Sequence, residues 1–155
     1  MAVEVQRVAD CESAPDDASF ERWAAAAMDG LDADASVVIR IVTPRESQAL
    51  NAEYRGKARP TNVLSFPFEA PPGVPSRHLG DLVICAQVVN QEAVQQGKTP
   101  AAHWAHMVVH GVLHLRGFDH LSEDQAAAME AREREILARL GIADPYLPAG
   151  DRPGS

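Results

Sequence analysis

The sequence predicts a single α/β (α+β) domain, built on a mixed sheet of about four strands with helices packed against it. Three observations predict it. Short β-branched runs interleave with longer helical stretches. The segment from 63 to 85 reads as a hairpin with a long loop, which makes the sheet mixed. The chain of 155 residues fits one domain and is long enough to bury a core without staples. We expect the domain to span residues 1–147, with 148–155 a loosely ordered tail.

Residues 2–8 alternate weakly and suggest a first strand. Ser19 is the expected cap of a helix that passes through Phe20 and Trp23 into an alanine run and stops at Gly30. Residues 36–42, SVVIRIV, are β-branched and read as a strand. Thr43-Pro44 opens a second helix with proline in its first turn, and Gly56 closes it. Residues 63–68 form a strand in which Pro67 implies an edge or a bulge. After a Pro/Gly-rich loop over 69–80, Asp81–Cys85 is the next strand, leading into a helix that stops at Gly97. Thr99-Pro100 starts a helix ending at Gly117, and Ser122 starts the last, ending at Gly141.

Composition narrows the function classes. Apolar residues make up 46% and charged residues 23%, as in ordinary globular domains and unlike disordered chains. No apolar run approaches the ~18 residues that span a bilayer, and no basic segment precedes an apolar one at the N-terminus. The expectation is a cytoplasmic protein without a membrane partner or an organic cofactor. Cys85, in an apolar run, reads as a small buried hydrophobe, and Cys11 lies in a polar stretch; the pair makes no disulfide framework. Fourteen basic against 22 acidic residues give a net charge of −8, which argues against coating nucleic acid by bulk electrostatics.

The chemistry concentrates in residues 110–120, HGVLHLRGFDH. Positions four apart lie on one face of a helix, so His110 and His114 can offer nitrogen to one ion. Gly117 can end that helix in a left-handed conformation and let the chain bring His120 to the same ion. Three neutral imidazoles leave a fourth position open, the pattern of catalytic rather than structural zinc. The expected cofactor is one zinc ion per chain. The spacing is that of metzincin peptidases, but the position after the first histidine, where those enzymes carry their glutamate base, is Gly111. The peptidase reading loses its base. His103, His106, His110 and His114 form a stripe along one face, so His106 and His110 offer a rival pair; the third histidine after Gly117 favours 110, 114 and 120. His103 and His106 then read as first-turn polar groups near Trp104 or facing solvent. Asp119 reads either as a carboxylate hydrogen-bonded to a ligand imidazole or as an exposed turn residue.

Arg55, Lys57 and Arg59 place three positive charges within five residues of an otherwise acidic chain. Such a loop beside a metal would hold phosphate oxygens and neutralise charge in a phosphoryl transition state; otherwise it is a solvated loop.

Taken together, residues 51–66 (NAEYRGKARPTNVLSF), 80–84 (GDLVI) and 110–120 closely resemble the YbeY family, bacterial rRNA maturation factors described as metal-dependent single-strand endoribonucleases. The likeness covers roughly residues 35–147. It implies that His110, His114 and His120 are zinc ligands and that Arg55 contacts RNA or assists cleavage; the charge of the basic loop itself extends the expected RNA contact to Lys57 and Arg59. It further implies action on the 3′ end of 16S rRNA precursor, ribosome quality control, and contact with small-subunit proteins. Many members carry Asp where this chain has Asn62, so Asn62 is no sole general base, and many carry Tyr at the position of Phe118. The alternative is an assembly factor that docks on the small subunit with a structural zinc.

Overall fold

The computed structural model describes residues 2–8, 14–31, 33–73, 77–119 and 121–146. Cys11, His120 and the tail 148–155 lie outside the described residues. Four strands, β1 (Ala2–Arg7), β2 (Ser36–Val42), β3 (Val63–Pro67) and β4 (His78–Cys85), form one sheet in the order β1-β2-β4-β3. The β1–β2 and β2–β4 pairs are parallel and β3–β4 is antiparallel. The sheet is therefore mixed, and 63–85 is the expected hairpin. Around it lie α1 (Asp17–Ala27), α2 (Pro44–Arg55), α3 (Ala86–Gln95), α4 (Pro100–Leu115) and α5 (Glu123–Arg139).

Local chemistry fixes the helix ends. The side chains of Thr43, Thr99 and Ser122 accept from the backbone N–H three residues on, at 3.2, 3.2 and 3.1 Å. Pro44 and Pro100 occupy first-turn positions where no backbone donor is needed. Helix α1 starts earlier than Ser19. Asp16 is its cap, accepting from the Ser19 N–H at 2.9 Å, and the Ser19 hydroxyl together with that N–H holds the Asp16 carboxyl below its usual pKa. Gly117, at φ +99°, ends α4, and the Phe118 N–H reaches back to the Leu113 carbonyl at 3.0 Å.

Strand β4 begins at His78, three residues before the expected Asp81, because a bulge lengthens it. His78 pairs with Ser36 and Gly80 with Val37, so Leu79 is passed over. Gly80 has φ +147°, and a Cβ there would sit 2.3 Å from the Phe66 carbonyl oxygen. Only glycine lets β3 approach β4 at this point.

Alternation along the strands sorts the two faces. Val37, Ile39, Ile41, Leu82 and Ile84 pack with Phe20 and Trp23 of α1 and Trp104, Val108 and Val112 of α4 in the main core. On the other face a smaller cluster joins Val42, Leu64, Val83 and Cys85 to Leu50 of α2. Cys85 is fully buried, and burial pushes its thiol pKa up, as a small core hydrophobe requires. Among the described residues no helix is long and apolar enough to cross a membrane.

Candidate metal centre and RNA cleft

Helix α4 runs through the middle of the molecule, so its polar side chains need partners. The four histidines form a continuous stripe, with successive ring centroids 6.3, 6.2 and 4.7 Å apart from His103 to His114. Its N-terminal half is not solvent-facing. His103 and His106 are buried, and each donates to a carboxylate: His103 Nε2 to Glu92 at 2.9 Å, and His106 Nε2 to Glu133 at 3.0 Å. The expectation that these two face solvent or merely flank Trp104 is corrected: burying a histidine in a helix-on-helix seam is costly unless an acceptor meets it, and α3 and α5 supply the acceptors.

Glu133 of α5 organises the next turn. It is fully buried and accepts three bonds: from His106, from His110 Nδ1 at 2.7 Å, and from the Tyr146 hydroxyl. Burial alone would raise its pKa, but the bonds from His106, His110 and Tyr146 outweigh it and hold the carboxyl at about 2. Burial lowers the His106 pKa, so its ring is neutral, and burial together with the adjacent carboxylate raises that of Tyr146. An ionised carboxylate only accepts, so the His110 nitrogen facing it, Nδ1, carries the proton. Nε2 of His110 then keeps its lone pair, as a metal ligand must.

Beside this network lies a cleft of about 420 Å³ lined by His110, His114, Asn62, Ser65, Tyr54 and Arg55 among others. The sequence-predicted ligands His110 and His114 and the sequence-predicted Arg55 thus share one cavity. Arg55 reaches it from the last turn of α2, and Gly56, at φ +69°, turns the chain into the basic loop. Two buried α2 side chains tie that loop down. Asn51 donates to the Arg59 carbonyl at 2.9 Å, and Ser47 bonds both the carbonyl and the N–H of Thr61, at 3.0 and 2.9 Å. Lys57 and Arg59 are exposed and do not line the cleft. Asn62 donates to Glu92 at 3.1 Å and its oxygen caps the Val63 N–H at 2.6 Å, which makes it a wall of the cleft. Against the effect of burial, the bond from His103, together with those from Asn62, keeps the Glu92 pKa low. Asp119 is half-buried.

Gly111 explains itself. A Cβ there would meet Leu82 Cδ2 at 2.7 Å, so this position faces the sheet. Even a methyl would push the tip of Leu82 aside, and a glutamate here would be aimed at the sheet. Its carbonyl accepts from Ser65 Oγ at 3.3 Å and docks the edge strand on α4. No carboxylate lines the cleft among the described residues.

The donor set suits a metal in two ways. His110 and His114 offer imidazoles to the cleft. His106, His110 and Glu133 also have ligand atoms that lie within 4.8 Å of one another and could hold an ion. In that second arrangement both histidine nitrogens would have to lose the protons they donate to Glu133.

The family model described as Endoribonuclease YbeY matches residues 7–141. The chain belongs to the YbeY endoribonuclease family. Membership makes it an RNA-cutting enzyme of rRNA processing. The solution structure of TM1509 from Thermotoga maritima superposes with a TM-score of 0.59 at 23% identity, covering 99% of both chains. That likeness supports the fold. Nothing local in the sequence marks Glu133 or Tyr146 as part of this network; the signal present is a carboxylate on the inward face of an otherwise charged helix.

Proposed function

We propose that this member of the family is a zinc-dependent, single-strand-specific endoribonuclease. It would act in the cytoplasm on the 3′ end of 16S rRNA precursor and in ribosome quality control, in contact with small-subunit proteins. The observation that carries the reading is the shared cleft, in which two imidazoles of α4 stand with Arg55 of α2. His110, His114 and His120 would hold one ion. When bound, the ion supplies Lewis acidity towards a phosphoryl oxygen.

The chain's own groups do the rest. Arg55 pairs with a non-bridging phosphate oxygen and stabilises charge that builds there. Lys57 and Arg59, exposed on the same tethered loop, steer the polyanion towards an acidic molecule. Glu133 holds His110 in one tautomer, and Asn62 shapes the wall opposite.

The test is metal analysis of wild type and the three histidine variants beside cleavage of single-stranded rRNA fragments. We expect His114→Ala and chelation to abolish cutting while the fold survives, and Arg55→Ala to slow cutting by about 100-fold or more at unchanged metal content. A wild type that matures ribosomes and never cuts RNA would favour the docking factor with a structural ion. The His106–His110–Glu133 arrangement is the second placement for the metal. It requires metal loss in a His106 variant and metal retention in His114→Ala.

A further inference from the structure

We propose that the groove on the open face of the sheet is a nucleobase subsite for single-stranded RNA, with Tyr54 as its stacking surface. This rests on the reading of the adjoining cleft as the phosphodiester site. Between α2 and the sheet lies a groove of about 520 Å³, with Glu46, Leu50 and Tyr54 of α2 along one side. Tyr54 and Phe66 line both this groove and the metal cleft, so they form the ridge between them. Their rings meet edge to face, with centroids 4.9 Å apart. That one contact leaves the Tyr54 residue 60% exposed. A large aromatic side chain this exposed, braced edge-on by Phe66 and standing between two cavities, offers a ring face on which a base can stack.

Groove polarity selects the partner. Arg40 and Glu46 are paired at 2.8 Å, and Gln6 and Asp81 add an amide and a carboxylate. Donors and acceptors are present without a surplus of positive charge. Such a surface suits the edge of a neutral base and repels a phosphate. The positive charge lies on the other side of the ridge, at Arg55. Consecutive residues on a helix point about 100° apart. Tyr54 and Arg55 therefore diverge as the base and phosphate of one nucleotide do. A base must leave its stack to lie on Tyr54, which a single strand permits cheaply and a duplex does not.

The experiment uses the full chain with His114→Ala to block cutting, and short RNAs in which one base at a time is replaced by an abasic position. Binding is read by fluorescence anisotropy, and stacking by quenching of 2-aminopurine. One abasic position should weaken binding, and Tyr54→Ala should weaken binding of the intact RNA by about 5- to 150-fold. The variant should be insensitive to that same abasic replacement. Tyr54→Phe should stay within about twofold of the parent, since the ring face and not the hydroxyl makes the contact. Duplex RNA should bind both forms alike. Unchanged affinity in Tyr54→Ala, an abasic penalty that persists in it, or failure of Tyr54→Phe overturns the subsite. Tyr54-dependent stacking in a protein whose wild type cuts no RNA upholds the subsite and counts against the cleavage reading. Cutting by a wild type with no Tyr54 dependence does the reverse.

Discussion

Replacing Glu133 by glutamine tests the centre with the smallest change in shape. The wild-type carboxylate offers only acceptors, and three donors use them: His106 Nε2 at 3.0 Å, His110 Nδ1 at 2.7 Å and the Tyr146 hydroxyl. An amide has one accepting oxygen and one donating nitrogen. Whichever way it turns, an N–H or O–H of the protein faces an N–H of the amide. Either a buried donor goes unpaired, at about 1–3 kcal/mol, or a histidine changes tautomer. If His110 changes, the proton moves to Nε2 and that nitrogen can no longer ligate. Loss of such a carboxylate partner typically weakens metal affinity by about 10- to 100-fold. We expect that loss in competition with a chromophoric chelator, an altered visible spectrum of the cobalt-substituted protein, and a melting point lower by about 2–12 °C without metal. Tyr146→Phe removes one donor and leaves the carboxylate, so its effect should be smaller. Wild-type metal affinity in Glu133→Gln would refute the argument. Abolition of binding in both Glu133→Gln and His106→Phe, with full retention in His114→Ala, would instead put the ion among His106, His110 and Glu133.

Three further outcomes follow from the same geometry. Acid should destabilise the metal-free fold in two steps. His106 titrates below its ordinary 6.5 when folded, so its contribution is present above pH 6.5 and fades as pH falls below it; Glu133, held at about 2 against an ordinary 4.5, contributes above pH 4.5 and is lost below. Melting temperatures flat from pH 7 to 4 would contradict this. Gly80→Ala should cost at least about 3 kcal/mol in denaturant titrations, because its Cβ would sit 2.3 Å from a backbone oxygen at φ +147°. Gly111→Ala, whose nearest atom is the tip of Leu82, should cost less; the opposite ranking would be a failure. Asn62→Asp would set a carboxylate where an amide now donates to Glu92 at 3.1 Å, so it should lower the melting point more at pH 8 than at pH 5.

Most of the fold was legible because its signals are local. Caps and first-turn prolines at Thr43-Pro44 and Thr99-Pro100 need no tertiary information, and neither does the β-branched run at 36–42. Where the reading slipped, a contact between distant segments decided. β4 starts at His78 because it pairs with Ser36, and a Pro/Gly-rich approach gives no sign of that pairing. α1 is the exception: it starts before Ser19 because Asp16, three residues upstream, takes the cap, a local choice between two capping side chains.

The site divides along the same line. His110, His114 and Arg55 were legible because a four-residue helical spacing and a cluster of cations are patterns within one segment, and the structure brings them to one cleft. The stripe of four histidines was equally visible, but its meaning was not. His103 and His106 looked like polar residues of an exposed first turn until Glu92 and Glu133 arrived from α3 and α5. Helix α5 is rich in charge, and only packing shows that Glu133 faces inward while Glu130, Arg132 and Glu135 do not share its full burial. A candidate ligand can be read from its own spacing. The carboxylate that accepts from His110 Nδ1 sits 23 residues away on another helix, and nothing along the chain connects the two. Identical histidine spacing with an apolar residue at 133 would remove the acceptor that meets His110 Nδ1. On this argument the reading of a metal site from spacing alone is incomplete until the carboxylate behind it has been found.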